Sequence, residues 1–127
     1  MMDQNGNYII QLVLQYKGKV TQECHQFMFK IIMDSMYYLS VHKNGCRVVQ
    51  TGFDVFTLEQ QEMMIECLMS QNKIKDLSFD FNGNHVVQKI LIKIKNLDTT
   101  DLYQRFIKEI DRNVLDYSMH EYCCRII

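Results

Sequence analysis

The sequence predicts an all-α solenoid, in which one helical unit recurs along the chain and each copy packs against the next. The first observation is a seven-residue motif that begins with Asn-Gly and ends in glutamine, at residues 5–11, 44–50 and 82–88. A shortened fourth copy occupies residues 122–127. Equivalent positions are separated by 39, 38 and 40 residues, a period typical of stacked helical repeats. These positions are Asn7, Cys46, Asn84 and Cys124.

The second observation is the helical spacing within the motif. At about 100° per residue, Asn84 and Gln88 fall on one line of a helix, and His85 lies about a quarter turn from Asn84. Each copy is therefore predicted to be an amphipathic helix whose polar edge carries an amide or thiol, then a flat side chain with π electrons, then a glutamine. The absence of proline agrees with uninterrupted helices. The opposite, apolar side is formed by Val87, Ile90, Leu91 and Ile94.

Composition narrows the class of protein. A chain of 127 residues has the size of one domain, and its hydrophobic content of 47% is enough for a continuous core if the repeats stack. Lysines interrupt every apolar run before the roughly 18 residues that a bilayer span needs, and no basic-then-apolar leader opens the chain. Five cysteines, an odd number without framework spacing, indicate a reducing compartment. We therefore expect a soluble, cytoplasmic protein that is not bound to a membrane.

The net charge of −1 restricts how the chain could hold a nucleic acid. A strong electrostatic hold normally needs a basic surface. Recognition would instead rest on contacts to the bases, for which an amide on a rigid helix offers both a donor and an acceptor.

The first half of the chain begins just inside a repeat. Residues 1–4 align with the last turn of a preceding helix, because Met2 occupies the position of Val41 in the next copy. The first polar-edged helix is predicted at 7–16, with Gly18 as its C-terminal stop, and a second helix follows at 21–33. A short helix at 34–42 and the second polar-edged helix at 44–56 complete this half.

The second half repeats the order of helices. Residues 57–60, Thr-Leu-Glu-Gln, have the capping-box pattern and begin the next helix. A short helix is predicted at 74–80, a polar-edged helix at 82–95, and a turn and cap at 97–100 before a helix at 102–110. A short helix at 114–120 opens a fourth unit. The chain is thus predicted to be one repeat domain, with a partial repeat at 1–33, repeats at 34–71 and 72–111, and a partial repeat at 112–127.

Several recurring residues have a structural interpretation. The valines of the motif are predicted to lie in the core, at Val48, Val49, Val86 and Val87. Methionine is an adaptable filler, so the stripe of Met63, Met64 and Met69 is predicted to pack between repeats. Asparagine is a good N-cap, so the polar-edged helices are predicted to begin at Asn5, Asn44 and Asn82.

The four motifs resemble the Pumilio family of sequence-specific RNA-binding repeats, also called PUF. The similarity covers essentially the whole chain, and NGNYIIQ, NGCRVVQ and NGNHVVQ are close to the family consensus. The resemblance implies an α-solenoid of three-helix repeats stacked into a curved array, in which each repeat reads one RNA base.

The resemblance also implies a role for each position of the polar edge. The base-edge contacts would come from Asn7 with Gln11, Cys46 with Gln50, Asn84 with Gln88, and Cys124. Base stacking would come from Tyr8, Arg47, His85 and Arg125. For the two arginines a solvated charge is the other interpretation, but they recur at the position of Tyr8 and His85, which favours stacking.

In that family, Asn with Gln is similar to the uracil reader and Cys with Gln to the adenine reader. Because its repeats run antiparallel to the RNA, the implied element is 5′-UAU-3′, or 5′-AUAU-3′ if a glutamine follows Cys124. The implied function is binding of messenger RNA 3′ untranslated elements for post-transcriptional regulation, with deadenylation or translation-repression proteins as partners. The exposed faces of the end repeats are expected to self-associate.

Other classes of function find less support. His42 with Cys46, and His120 with Cys123 and Cys124, suggest zinc ligands, but no four-ligand set with finger-like spacing exists. A Cys–His catalytic pair would lack an oxyanion hole, so we expect no enzyme, metal or cofactor. The alternative from another class is a helical-repeat scaffold that binds proteins without specific RNA binding.

Overall fold

The computed structural model describes residues 1–16, 21–97 and 100–127. These residues form nine α-helices, one 3-10 helix and no strand. The helices that carry the polar edges are α1 (Gln4–Gln15), α4 (Gly45–Val55) and α7 (Gly83–Ile94), continued by the 3-10 helix Cys123–Arg125. A short helix precedes α4, α7 and the 3-10 helix: α3 (Met36–Val41), α6 (Lys73–Phe79) and α9 (Val114–Met119), respectively. The remaining helices are α2 (Thr21–Asp34), α5 (Leu58–Ser70) and α8 (Thr100–Arg112).

The helices stack as the repeat pattern predicts. Along one layer, α1 packs on α4 and α4 packs on α7, while along the opposite layer α2 packs on α5 and α5 on α8. The short helices join the layers, since α3 contacts both α4 and α5, and α6 contacts both α7 and α8. The predicted all-α solenoid is therefore confirmed, with three helices in each complete unit.

The start of the chain differs from the prediction. Helix α1 already begins at Gln4, and Met1 and Met2 are not helical, so the assignment of residues 1–4 to the last turn of a preceding helix is wrong. The physical reason is Asp3, whose carboxylate accepts from the backbone N–H groups of Asn5 and Gly6 at 2.9 and 2.7 Å. A carboxylate at this place satisfies donors that the first turn of a helix leaves unpaired.

The predicted capping box at the start of α5 is confirmed. The Thr57 hydroxyl accepts from the Gln60 backbone N–H at 3.2 Å, and Gln60 Oε1 accepts from the Thr57 backbone N–H at 3.1 Å. The predicted helix stop at Gly18 and the turn and cap at 97–100 depend on positions outside the described residues. The division of the chain into repeats at 33/34, 71/72 and 111/112 stays a prediction.

The core runs between the two layers. All four predicted valines, Val48, Val49, Val86 and Val87, are completely buried. The methionine stripe agrees only in part, because Met64 is buried and Met69 half-buried, whereas Met63 is 48% exposed. Met63 lies instead on the outer surface between α5 and α8. Among the described residues, no helix is long and apolar enough to cross a membrane.

Glycine is required where a polar-edged helix meets the short helix before it. A Cβ atom on Gly45 would lie 2.7 Å from the Leu39 carbonyl oxygen, and one on Gly83 would lie 2.8 Å from that of Leu77. Such distances are far below van der Waals contact, so no side chain fits without a backbone shift. The glycine of the motif therefore allows each polar-edged helix to approach its short helix.

Candidate nucleic-acid interface

The polar-edged helices share an acceptor for the N–H groups of their first turn. It is the side chain two residues before the first residue of the motif: Asp3, which is also the N-cap of α1, His42 Nδ1 before α4 and Asp80 Oδ1 before α7. His120 Nδ1 occupies this place in the fourth unit and accepts from the Tyr122 N–H at 3.3 Å. Carboxylate and imidazole are interchangeable here because both present a lone pair. The zinc interpretation of His42 and His120 thus has a simpler explanation.

The asparagines of the motif have a different role from the predicted one. Asn44 and Asn82 occupy N-cap positions, but neither side chain makes a capping hydrogen bond. Instead, Asn44 Nδ2 donates to the Met2 carbonyl and Asn82 Nδ2 to the Val41 carbonyl, each at 2.8 Å. The capping prediction is therefore wrong for these two side chains, which link each unit to the one before it. Asn5 lies inside α1 and is not its cap either.

We call the polar edge of α1, α4, α7 and the 3-10 helix the reading edge. It consists of the predicted base contacts and the predicted stacking positions. The base contacts are Asn7, Gln11, Cys46, Gln50, Asn84, Gln88 and Cys124, and the stacking positions are Tyr8, Arg47, His85 and Arg125.

The first and third reading-edge helices, α1 and α7, present the same hydrogen-bond network. Asn7 Nδ2 donates to the carbonyls of Asp3 and Gln4, and its Oδ1 accepts from Gln11 Nε2 at 2.9 Å.

The third helix repeats this network. Asn84 Nδ2 donates to the carbonyls of Asp80 and Phe81 at 2.9 and 2.7 Å, and its Oδ1 accepts from Gln88 Nε2 at 2.9 Å. Both asparagines are almost fully buried, at 1% and 2% exposure, while both glutamines are half-buried. The asparagine amide is thus fixed by the backbone, and it fixes the glutamine amide in turn. A hydrogen-bonding group held in one orientation can distinguish one base edge from another.

The second helix has a thiol in place of the amide. Cys46 is 4% exposed, and its Sγ donates to the Lys43 carbonyl at 3.4 Å. Burial raises the pKa of the Cys46 thiol, which keeps it protonated as a donor at neutral pH. Because the Cys46 side chain has no oxygen, Gln50 Nε2 donates instead to the Cys46 backbone carbonyl, at 3.1 Å. The second unit therefore offers a different set of polar atoms from the first and third.

Thr51 lies beside the reading edge, and no sequence pattern indicated its contact there. Its hydroxyl lies 3.2 Å from Gln11 Oε1 in the preceding unit and 3.0 Å from the Arg47 carbonyl on its own helix. The contact to Gln11 joins residues 40 positions apart. Only the packing of α4 on α1 brings them together, so no local pattern could have indicated the pair.

The predicted stacking residues all lie on the surface. Tyr8 is 55% exposed, and Arg47, His85 and Arg125 are also exposed. In the described part of the chain, no hydrogen bond or ion pair engages the side chains of Arg47 and Arg125. Flat groups of this kind, with free faces beside fixed hydrogen-bonding groups, are suited to stack on unpaired bases.

The fourth unit is only partly like the others. Cys124 is exposed, and its Sγ lies 3.5 Å from the Glu121 carbonyl, as Cys46 Sγ lies near that of Lys43. Cys123 replaces the glycine of the motif and is buried, with its Sγ 2.8 Å from the Ser78 carbonyl. Burial raises the pKa of Cys123 to about 11. Within the described ranges, no group of three or more His, Cys, Asp or Glu side chains could hold a metal ion.

Charge is divided between the two layers. The reading-edge helices contain four Lys or Arg residues and one Asp or Glu, whereas α2, α5 and α8 contain four Lys or Arg residues and eight Asp or Glu. A net charge of −1 for the chain therefore conceals a basic layer and an acidic layer. Such a basic layer favours the approach of an anionic polymer to the reading edge.

Comparison with known proteins agrees with this architecture. The model of the Pumilio-family RNA binding repeat matches residues 1–17, 35–69 and 73–103. The chain is 30% identical over 125 residues to Pumilio homology domain family member 4 of Saccharomyces cerevisiae, covering 98% of the chain and 14% of that protein. It is 37% identical over 89 residues to a Pumilio domain-containing protein of Schizosaccharomyces pombe, covering 70% of the chain and 12% of that protein. The chain thus spans a small part of these relatives.

Solved structures give the same fold. The Puf4 RNA binding domain bound to an HO endonuclease RNA 3′ UTR recognition sequence matches with a TM-score of 0.81 at 26% identity, over 99% of this chain and 36% of that one. PUF-8 in complex with PBE-RNA matches with a TM-score of 0.83 at 17% identity, over 98% of this chain and 34% of that one. At that identity the second match bears on the fold alone.

Proposed function

The chain belongs to the Pumilio family, and we propose that it binds single-stranded RNA in a sequence-specific manner, with one base read by each repeat. The observation that carries the proposal is the recurrence of one hydrogen-bond network at Asn7 and Gln11 and again at Asn84 and Gln88. In both places the asparagine is buried and oriented by two carbonyls, beside an exposed flat side chain. The stacking of repeats would not by itself require the same polar network beside an exposed flat side chain in two units.

We propose 5′-UAU-3′ as the element, with Asn84 and Gln88 at the first uracil, Cys46 and Gln50 at the adenine, and Asn7 and Gln11 at the second uracil. Cys124 would extend it to 5′-AUAU-3′ if a glutamine follows it. The different polar atoms of the second unit support a different base in the middle. Stacking by Tyr8, Arg47, His85 and Arg125 would supply about 1 to 3 kcal/mol per base without sequence preference.

The biological role that fits this activity is post-transcriptional regulation of messenger RNA in the cytoplasm, by binding without catalysis. The Puf4 domain was solved on a 3′ UTR recognition sequence, which supports 3′ untranslated elements as targets. Deadenylation or translation-repression proteins would be recruited through the layer opposite the reading edge. Such a partner could use a groove of about 480 Å³ between α5 and α8, whose lining includes Met33, Met63, Cys67 and Leu102.

The same groove is the observation that favours the alternative function, a scaffold that binds proteins and no specific RNA. Titration of the chain with labelled RNA separates the two. We expect tighter binding to an oligonucleotide containing 5′-UAU-3′ than to one of the same composition in scrambled order. Gln88→Ala, on the reading edge, should reduce this preference, whereas the matched change Gln71→Ala, at the exposed end of α5, should not. Equal affinity for both oligonucleotides would favour the scaffold.

A further inference from the structure

An aromatic pair lies beside the reading edge and has no place in the repeat pattern. Phe81 is 65% exposed, and its ring centroid lies 5.5 Å from that of Tyr122, with the ring planes at 79°. The ring of Tyr122 contacts that of His120, at 5.3 Å between centroids, and His120 contacts Phe79 at 4.6 Å. Tyr122 therefore supports Phe81 on one side and is itself held by His120, while most of the Phe81 side chain remains open to solvent.

The other repeats show that the fold does not need these two rings. The positions equivalent to Phe81 hold Gln4, Lys43 and Glu121, all polar and all exposed. Tyr122 stands where the other copies have asparagine. Burying an aromatic side chain is favourable, so a phenylalanine at a surface position that accepts polar residues offers apolar area to a ligand.

The pair is placed next to the predicted base contacts. The Phe81 carbonyl accepts from Asn84 Nδ2 at 2.7 Å, so the backbone of Phe81 directly supports the reading residue of the third unit. The Glu121 carbonyl, adjacent to Tyr122, lies 3.5 Å from Cys124 Sγ in the fourth unit. The two rings thus lie at the boundary between the third and fourth units, within one helical turn of both predicted readers.

From this placement we infer that Phe81, supported by Tyr122, is an additional stacking site for a nucleobase of the bound RNA. This inference rests on the proposed function. With the strand antiparallel to the repeats, the third and fourth units face its 5′ end, so the base is one that flanks 5′-UAU-3′ on the 5′ side. An aromatic face accepts any base, and the site therefore adds affinity without adding sequence preference.

The chain itself supplies substitutions that the repeat tolerates. Phe81→Gln introduces the residue found at position 4, and Tyr122→Asn introduces the residue found at positions 5, 44 and 82. Affinity would be measured by fluorescence anisotropy for two RNAs, one beginning at 5′-UAU-3′ and one extended by two nucleotides on the 5′ side. Gln4→Ala is the matched control, because it changes the equivalent exposed position of the first unit.

We expect the extension to increase the affinity of the unsubstituted protein about fivefold or more, the effect of one stacked base. Phe81→Gln and Tyr122→Asn should both reduce this gain, leaving the part that Arg125 and Cys124 contribute, while both proteins bind the unextended RNA within twofold of the original. Gln4→Ala should keep the gain. If Phe81→Gln keeps the full gain while the original protein still prefers 5′-UAU-3′ over its scrambled order, the inference alone is overturned. If the original protein shows no such preference, the proposed function fails instead.

Discussion

At the scale of single residues, one backbone arrangement serves two different side chains. The carbonyls of Asp80 and Phe81 hold the amide of Asn84, and the Lys43 carbonyl holds the thiol of Cys46. An amide with two N–H groups satisfies both carbonyls and still offers an oxygen to the glutamine, whereas a thiol offers one weak donor. The side chain at this position thus determines which acceptor the glutamine amide binds and, through that, which of its polar atoms face the RNA.

A substitution at this position should change the preferred base. Cys46→Asn places an amide where the carbonyls of His42 and Lys43 can hold it, as Asp80 and Phe81 hold Asn84. We expect the middle preference to move from adenine to uracil, with a discrimination of about 1 to 3 kcal/mol, by analogy with direct readout in DNA. Competition binding with RNAs containing 5′-UAU-3′ and 5′-UUU-3′ measures it. Arg47→Ala is the control and should weaken both complexes together, and a retained adenine preference in Cys46→Asn would contradict the assignment.

The imidazole of His42 should be replaceable by a carboxylate. His42→Ala removes the acceptor for the Asn44 and Gly45 N–H groups, and loss of an N-terminal acceptor typically costs about 1 kcal/mol of unfolding free energy. His42→Asp introduces the residue that does this work at Asp3 and Asp80, so most of the loss should be regained. Urea unfolding measures both variants. Equal destabilisation by alanine and aspartate, or stabilisation of the original protein by zinc, would contradict the capping role.

At the scale of helices, the close approach of a polar-edged helix to its short helix sets the position of the reading edge. Helix α7 begins at Gly83, directly against the backbone of Leu77 in α6. The first turn of α7 also carries Asn84 and His85, so a displacement at Gly83 moves the reading residues with it.

Alanine at Gly83 should therefore be costly, and alanine at Gly6 should not. The added Cβ at Gly83 would lie 2.8 Å from the Leu77 carbonyl oxygen, and overpacking of this kind costs about 1 to 3 kcal/mol. At Gly6 the nearest atoms belong to the exposed Asp3 side chain at 3.4 Å, so the helix preference of alanine should leave stability equal or higher by up to about 1 kcal/mol. Thermal unfolding compares the stability of the two variants. Similar changes at both positions would show that α7 can shift away from α6 at little cost in stability.

At the scale of the whole molecule, polar contacts link each unit to the next along the basic layer. Asp54 of α4 accepts from Lys89 and Lys93 of α7 at 2.7 and 2.8 Å. Partial burial alone would raise the pKa of Asp54, but hydrogen bonds and charge from the two lysines outweigh it and hold that pKa below the ordinary value of 3.8.

This ion pair should give a specific dependence of stability on pH. Because the pKa of Asp54 is depressed in the folded state, its contribution is present above about pH 4 and is lost as the pH falls through the folded-state pKa. Asp54→Asn should lower the unfolding free energy by about 0.5 kcal/mol at pH 7, a modest value since the carboxylate is 44% exposed. The difference between the two proteins should shrink below pH 4. Asp111→Asn, on the exposed side of α8, is the control and should show neither effect.

The end faces of the solenoid should associate. Ile9 and Leu12 on α1 and its C-cap Tyr16 are 61%, 66% and 66% exposed, whereas Val48, equivalent to Ile9, is completely buried in α4, the helix that packs on α1. At the other end Leu115 and Met119 are 78% and 89% exposed. We expect sedimentation to show oligomers that increase with concentration. The double variant Leu12→Lys, Tyr16→Lys, which introduces the residues found at positions 89 and 93, should reduce them, and a concentration-independent monomer would contradict the expectation.

The sequence by itself determined the helices, their order and the exposed stacking positions of the reading edge. Helical spacing is a local property, and copies repeated at steps of 39 and 38 residues made it visible. Val48 and Val86 in the core, the Thr57 capping box and the exposed Tyr8 and His85 all followed from it. Only the tertiary structure decided that Asn44 and Asn82 link neighbouring units, that Thr51 meets Gln11, and that Phe81 and Tyr122 form a pair. Each of these contacts joins groups about 40 residues apart, often through a backbone carbonyl that every residue has. No side-chain pattern can reveal such an acceptor until packing has placed it.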